Sequence, residues 1–290
     1  MAASTVNPRS IELRSGFTPR AGIRHVIFDF DGTLSLVRGG WAEIMLRMFQ
    51  ESVPAAPGDD PALRRSRLLN DIMSLNGQPS IQQMRLLRSR VLEHGLPALD
   101  EDAYHSDFQR RLGITRMQRI AAITSRGEDP DRYLIQGARE LLRLLQGRGM
   151  VMHLVSGTEE AAVREEARHL GIDHFFEGRI HGPAATHASF SKGAEIDRIV
   201  HSHRLAAAEL LSFGDGPVEI RETRRVGGMA VAVASIEAEE VADRAGIDPD
   251  KRLLLTASGA DAVIGDYRHP EELLATLGFP APASPGSTTP

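Results

Sequence analysis

Cysteine is absent from the 290 residues. Disulfides, thiolate nucleophiles and Cys-ligated zinc are therefore excluded, and any covalent chemistry must use oxygen or nitrogen. Lysine is nearly absent: Lys192 and Lys251 are two among 34 Lys plus Arg, so each stands out where arginine is the default cation. No apolar run approaches the roughly 18 to 20 residues of a membrane span. Met1 to Arg20 is polar and mixed, without the continuous apolar stretch of a signal peptide. Positive charge is not in excess either. A net charge of −5 offers no electrostatic footprint for nucleic acid or an anionic membrane. There is no Gly-x4-Gly-Lys-[Ser/Thr] loop and no dinucleotide fingerprint, so ATP and NAD are not implied. The eleven histidines include no His-Glu-x-x-His pair; His201 and His203 read as surface, and His25 and His153, at and inside a strand, as core. These absences predict a soluble, cytoplasmic protein that binds neither nucleic acid nor a membrane, and they say nothing of oligomeric state.

What remains is ordinary globular material, 41% hydrophobic and 25% charged, sufficient for one or two domains. Short apolar runs with the length of buried strands occur at His25 to Phe30, Met150 to Val155, Leu210 to Phe213, Met229 to Ala234 and, more weakly, Ala262 to Ile264. Amphipathic helical patterns alternate with them at Tyr133 to Leu145, Glu159 to Leu170, Lys192 to His203, Val218 to Val226 and Glu271 to Leu277. Such alternation predicts an α/β fold, a parallel sheet with helices on both faces. One interval breaks the rhythm. Between the first strand and the helix at Tyr133 the patterns are helical only, at Trp41 to Glu51, Pro61 to Leu75, Ser80 to His94 and Ala103 to Ile123. The expected organisation is a flexible N-terminal segment over 1–22, an α/β core over 23–35 and 133–280, an inserted helical domain over 36–132, and a flexible tail over 281–290. The connection from Ile236 to Gly259 is long, and the sequence gives it no role beyond packing on the sheet edge.

In open α/β sheets ligands bind outside the carboxyl ends of the strands. The first strand runs into Asp29-Phe30-Asp31-Gly32-Thr33. Two carboxylates two residues apart at the end of a buried strand need a cation or a proton, unless they are simply a solvated pair at a turn. An EF-hand loop is excluded because Gly32 arrives too early. The second strand ends in Ser156-Gly157-Thr158 ahead of a helix, a hydroxyl with backbone N–H groups suited to phosphate, or an ordinary N-cap. Lys192 opens another helix, as a compact ammonium for carboxylate and phosphate or as a solvated side chain. A later strand ends in Gly214-Asp215-Gly216-Pro217-Val218-Glu219, which adds two hard oxygen ligands facing the same way. An oxygen-only donor set favours Mg²⁺ over zinc or copper.

In this order and spacing the residues resemble the haloacid dehalogenase (HAD) superfamily over about residues 25 to 265. Asp29, Asp31 and Thr33 match its Asp-x-Asp-x-Thr motif, Ser156 its second, Lys192 its third, and Gly214, Asp215 and Glu219 its fourth. The resemblance implies a Rossmann-like core and a Mg²⁺-dependent phosphatase. Asp29 would be the nucleophile, forming an aspartyl-phosphate, and Asp31 the general acid and base. Mg²⁺ would be held by Asp29, the Asp31 backbone carbonyl, Asp215 and Glu219. Thr33, Ser156, Gly157, Thr158 and Lys192 would contact the phosphate.

The place of the insertion resembles the helical C1 cap of phosphoglycolate phosphatase and β-phosphoglucomutase relatives. It implies a small substrate, a sugar or polyol phosphate, with Arg38, Trp41, Asn76, Gln78 and Gln82 as candidate readers of the leaving group. Trp41 reads equally as cap core and Gln82 as exposed helix face. Charge does not refine the substrate, since residues 36–132 carry 14 basic and 13 acidic side chains. Asp31 argues against a dehalogenase, which lacks the second carboxylate, and an insertion without lysine argues against a phosphonatase. A phosphomutase of the β-phosphoglucomutase type keeps the same motifs and stays open. A non-catalytic Mg²⁺ or phosphate-binding module is the reading from a different class.

Overall fold

A computed structural model describes residues 11–75, 80–184, 190–238 and 241–280. The chain divides into two compact units, one formed by residues up to Val37 and from Ile123 onward, the other by Arg38–Ala122.

The first unit is built on a sheet whose described strands are β1 (Glu12–Leu13), β2 (His25–Phe28), β3 (Val151–Val155), β4 (Ile180–His181), β5 (Leu210–Gly214), β6 (Met229–Val233) and β7 (Ala262–Ile264). Their spatial order is β1-β7-β6-β5-β2-β3-β4. All neighbours run parallel except β1, which pairs antiparallel with β7. The four residues of β2 and the five each of β5 and β6 are buried throughout, as expected of strands covered on both sides. Phe28 and Phe213 stack across the β2–β5 pair with ring centroids 5.0 Å apart, and Tyr267 meets Phe213 edge-on at 5.7 Å. Ile27 and Val155 face Ile196 and Ile199 in a second apolar cluster.

The α-helices among the described residues are α1 (Trp41–Ser52), α2 (Pro61–Met73), α3 (Ile81–Glu93), α4 (Glu101–Arg126), α5 (Ala138–Gly147), α6 (Glu160–His169), α7 (Lys192–His203), α8 (Pro217–Arg225), α9 (Pro249–Ala257) and α10 (Pro270–Leu277). The second unit contains α1 to α3 and most of α4. Met45, Phe49, Ile72, Met84, Leu87 and Phe108 recur at helical spacing and form its buried core. Asp60 starts α2 by accepting the Ala62 and Leu63 N–H groups at 2.8 and 3.0 Å, with Pro61 in the first turn.

Several elements differ from the sequence reading. The helix expected from Tyr133 begins at Ala138. Its first apolar residues belong to an extended approach in which Leu134 bridges Ser35, so their spacing mimics a helical face. Of the segment expected to be flexible up to residue 22, residues 1–10 lie outside the described residues, and residues 12–20 make contacts: β1 pairs with β7, the Arg14 guanidinium meets Asp261 at 3.0 Å and the Arg20 N–H donates to the Leu277 carbonyl at 2.8 Å. Two-residue strands such as β1 and β4 are too short for alternation to reveal. Within the long connection after β6, Asp248 accepts the N–H groups of Asp250 and Lys251 and starts α9, with Pro249 in its first turn. The expected tail, 281–290, lies outside the described residues.

Candidate active site

Strands β5, β2 and β3 are adjacent, so the residues following their carboxyl ends converge. Asp29 follows β2, Ser156 follows β3 and Asp215 follows β5. Glu219 comes back to them from the first turn of α8, where its carboxylate accepts the Gly216 N–H at 2.7 Å and starts its own helix. Carboxylate oxygens of Asp29, Asp215 and Glu219 lie within 4.8 Å of one another.

Glycine is required where these groups close in. A Cβ on Gly32, which has φ +72°, would lie 2.1 Å from Asp215 Oδ2, and one on Gly214 would lie 2.2 Å from Glu219 Cγ.

Lys192 is presented by helix α7, whose start is capped by Ser191 Oγ accepting the Ala194 N–H at 3.1 Å. Its ammonium donates to Asp29 Oδ2 at 2.6 Å and Glu219 Oε2 at 3.2 Å. The other Asp29 oxygen accepts the Phe30 N–H at 2.7 Å. Thr158 Oγ1 donates to Asp31 Oδ2 at 2.7 Å, while the Thr158 N–H donates to Ser156 Oγ at 3.0 Å. The hydroxyl of Thr33, a fully buried residue, donates to Asp215 Oδ1 at 3.2 Å and so is tied to the acidic cluster. Gly157, between Ser156 and Thr158, is exposed.

Burial, followed by the nearby Glu219 and Asp215 charges, pushes the Asp29 carboxyl well above the usual range even though Lys192 opposes it. Burial likewise raises Asp215, with Glu219 and Glu237 adding to it and Lys251 opposing. Burial alone would raise Glu219 too, but the Lys192 ammonium and the Gly216 N–H hold it below the ordinary value. The same carboxylates override burial at Lys192 and keep it charged. Two acids held this far from easy ionisation mark a site short of positive charge. An all-oxygen donor set of this kind fits a hard divalent cation.

Sequence reasoning missed a second cation here. Helix α9 delivers Lys251, 8% exposed, whose ammonium donates to Glu237 Oε1 at 2.6 Å, Asp215 Oδ2 at 3.2 Å and Ser235 Oγ at 3.3 Å. Ser235 Oγ in turn donates to the Gly32 carbonyl at 2.8 Å. Both lysines of the chain therefore serve one acidic cluster. Their rarity and the Asp248-Pro249 helix start were the available signals, whereas nothing in the sequence marks Glu237. Tyr267, buried behind the motif, donates to the Thr33 carbonyl at 3.0 Å.

Arg38, Trp41 and Gln82 belong to the helical unit. Trp41 packs on that unit's apolar core, and Gln82 Oε1 accepts from Arg85 at 3.4 Å. Asn76 and Gln78 lie outside the described residues.

A 5'-nucleotidase from Pseudomonas aeruginosa is 24% identical over 209 residues, 72% of this chain and 81% of that protein. Among solved structures, a predicted phosphoglycolate phosphatase from Haemophilus somnus 129pt superposes with a TM-score of 0.58 at 18% identity, over 87% of this chain and 98% of that one. A HAD family hydrolase from Deinococcus radiodurans R1, solved with bound phosphate and sodium, gives a TM-score of 0.60 at 17% identity, over 91% of this chain and all of that one (100%). Residues 26–218 match the haloacid dehalogenase-like hydrolase family, and with the match covering well over half of its length the chain belongs to that family.

Proposed function

We propose that the protein is a divalent-metal-dependent phosphomonoesterase that hydrolyses a small phosphorylated metabolite, a sugar or polyol phosphate, through an aspartyl-phosphate on Asp29. The observation that carries this reading is a buried carboxylate, Asp29, held by the Lys192 ammonium at 2.6 Å, with a second carboxylate two residues on, Asp31, fixed by the Thr158 hydroxyl at 2.7 Å.

A carboxylate oxygen of Asp29 attacks phosphorus in line, the P–O bond to the leaving alcohol breaks, and Asp31 gives that oxygen its proton. Asp31 then takes a proton from water as the water oxygen attacks the phosphoryl group, and the Asp29 carboxylate departs. Ser156, the N–H groups of Gly157 and Thr158, and Lys192 hold the equatorial oxygens, where stabilisation of phosphoryl transfer is concentrated. Mg²⁺, held by Asp29, the Asp31 carbonyl, Asp215 and Glu219, would supply the charge neutralisation that lets an anionic nucleophile approach a phosphate. Thr33 keeps Asp215 in place for it, while the Lys251 ammonium balances the Asp215 charge until a cation arrives.

Selection of the leaving group is assigned to the inserted helical unit as a C1-type cap, because it enters the chain between Asp31 and Ser156. Arg38, Trp41, Asn76, Gln78 and Gln82 are its candidate contacts.

The test is phosphate release from a panel of phosphorylated metabolites with Mg²⁺, beside Asp29→Asn and a chelated control. Turnover of one sugar or polyol phosphate, lost on chelation and in Asp29→Asn, is the expected result. Hydrolysis that survives Asp29→Asn would end the covalent mechanism, and turnover that appears only with a bisphosphate activator would make the protein a mutase.

A further inference from the structure

Helix α7 carries Lys192 at its first residue and His203 at its last. The amino end reaches Asp29, and the carboxyl end reaches a second group of side chains on the same sheet face. His25 opens β2, four residues before Asp29 and so about 13 Å from it along the strand. His153 lies on the neighbouring β3 with its side chain on the same face. His25 and His203 have ring centroids 4.6 Å apart, and His153 lies 5.4 Å from each. One ring nitrogen from each of the three falls within 4.8 Å of the others.

We infer that His25, His153 and His203 form a binding site for a borderline divalent cation of the Zn²⁺ or Co²⁺ class, which staples the end of α7 to β2 and β3. His25 Nδ1 and His153 Nε2 share a buried hydrogen bond at 3.1 Å, a separation close to the roughly 3.3 Å edge of a tetrahedron with metal–nitrogen bonds of about 2.0 to 2.1 Å, so an entering ion would take the place of the shared proton. His203 is exposed at the helix end, so it can close on an entering ion and leave the fourth position to water.

A purely structural role explains the rings less well. His153 is 1% exposed and its Nδ1 has no hydrogen-bond partner among the described residues, so the ring is held through Nε2, the nitrogen that faces His25 and would take the ion. Burial and the neighbouring His203 hold His25 down to about 4, and burial and His25 hold His153 to about 3, so both rings offer uncharged nitrogen at neutral pH. The nearby Arg24 and Arg179 are each answered by a carboxylate, Glu209 at 3.4 Å and Glu177 at 3.0 Å. Donor chemistry separates the two sites: three imidazoles select a borderline ion, and the carboxylate cluster around Asp29 a hard one.

The experiment is a Co²⁺ titration of the tag-free full chain in excess Mg²⁺, read by visible absorption. One equivalent with the intense bands of tetrahedral Co²⁺ is expected, retained in Asp215→Asn and weakened at least about tenfold in His203→Gln. His201→Gln serves as the control on the same helix end, because its Nδ1 is engaged by the Asp197 carbonyl at 2.6 Å. Equal binding in His203→Gln, loss in Asp215→Asn, or no tetrahedral spectrum would each overturn the site. Circular dichroism and melting of each variant separate loss of ligand from loss of fold.

Discussion

Replacing Lys251 by methionine keeps the aliphatic stem and deletes the ammonium that stands between Asp215 and Glu237. At 3.2 Å the attraction to Asp215 is about 5 kcal/mol with an effective dielectric of about 20. Removing one member of a buried pair costs about 3 to 5 kcal/mol, because the partner charge is left uncompensated. Two partners are stranded here, and Asp215 is only 18% exposed. The metal-free Lys251→Met protein should therefore melt roughly 6 to 20 °C lower than wild type, at about 2 to 4 °C per kcal/mol for a domain of this size. Its response to Mg²⁺ moves the opposite way. The ammonium competes for the oxygen of Asp215 that a cation would use, so its loss should lower the Mg²⁺ concentration for half-maximal phosphatase activity by about tenfold, equivalent to about 1.4 kcal/mol. Added Mg²⁺ should also recover more of the melting temperature in the variant than in wild type. Thermal melts with and without Mg²⁺ and a Mg²⁺ titration of activity read both effects. An unchanged metal-free melt, or a higher Mg²⁺ requirement, would refute the claim that Lys251 balances Asp215.

Asp29→Asn should abolish turnover while the protein still folds, since it removes the nucleophile at almost constant volume; measurable steady-state turnover would contradict the role. Asp31→Asn should let phosphoenzyme accumulate with an activated ester, seen by intact-protein mass, and hydrolysis of the intermediate at the wild-type rate would discard Asp31 as the base. Gly32→Ala should lose most activity, because the added methyl would lie 2.1 Å from Asp215 Oδ2 at a positive φ; a kcat within twofold of wild type would show that the loop yields freely. Acidification should destabilise the fold through His25 and His153. Their folded values, about 4 and about 3, lie below the unfolded value, so stability is lost as pH falls through 6.5. At pH 5 this amounts to about 2 kcal/mol for His153, with a smaller contribution from His25, which solvent screens more. Urea midpoints at pH 7 and pH 5 should differ less in His25→Gln than in wild type, and an equal difference would exclude the ring as the source.

The acidic cluster was legible in the sequence because each member directly follows a strand or begins a helix. Asp29 ends an apolar run, Asp215 ends another, and Pro217 announces the helix that returns Glu219. The buried strands were legible for the same reason, as continuous apolar runs with polar stops. Partnership across the sheet was not. Lys251 reaches Asp215 only because β6 lies beside β5 and α9 follows it, a relation set by strand order rather than local pattern. The three histidines are 128 and 50 residues apart in the chain, and no spacing rule links them; only the parallel register of β2 with β3 and the length of α7 bring them together.

The antiparallel strand β1 has a bearing on solubility. Without Glu12 and Leu13, β7 would present a bare row of N–H and C=O groups along an Ala-Val-Ile segment, a template for pairing with another chain. Two residues suffice because ion pairs lock them on either side, Arg252 with Glu12 at 2.5 Å and Arg14 with Asp261 at 3.0 Å. Trimming the chain before Arg20 would therefore bare the β7 edge, release the Glu12 anchor on α9, and make the molecule prone to edge-to-edge aggregation.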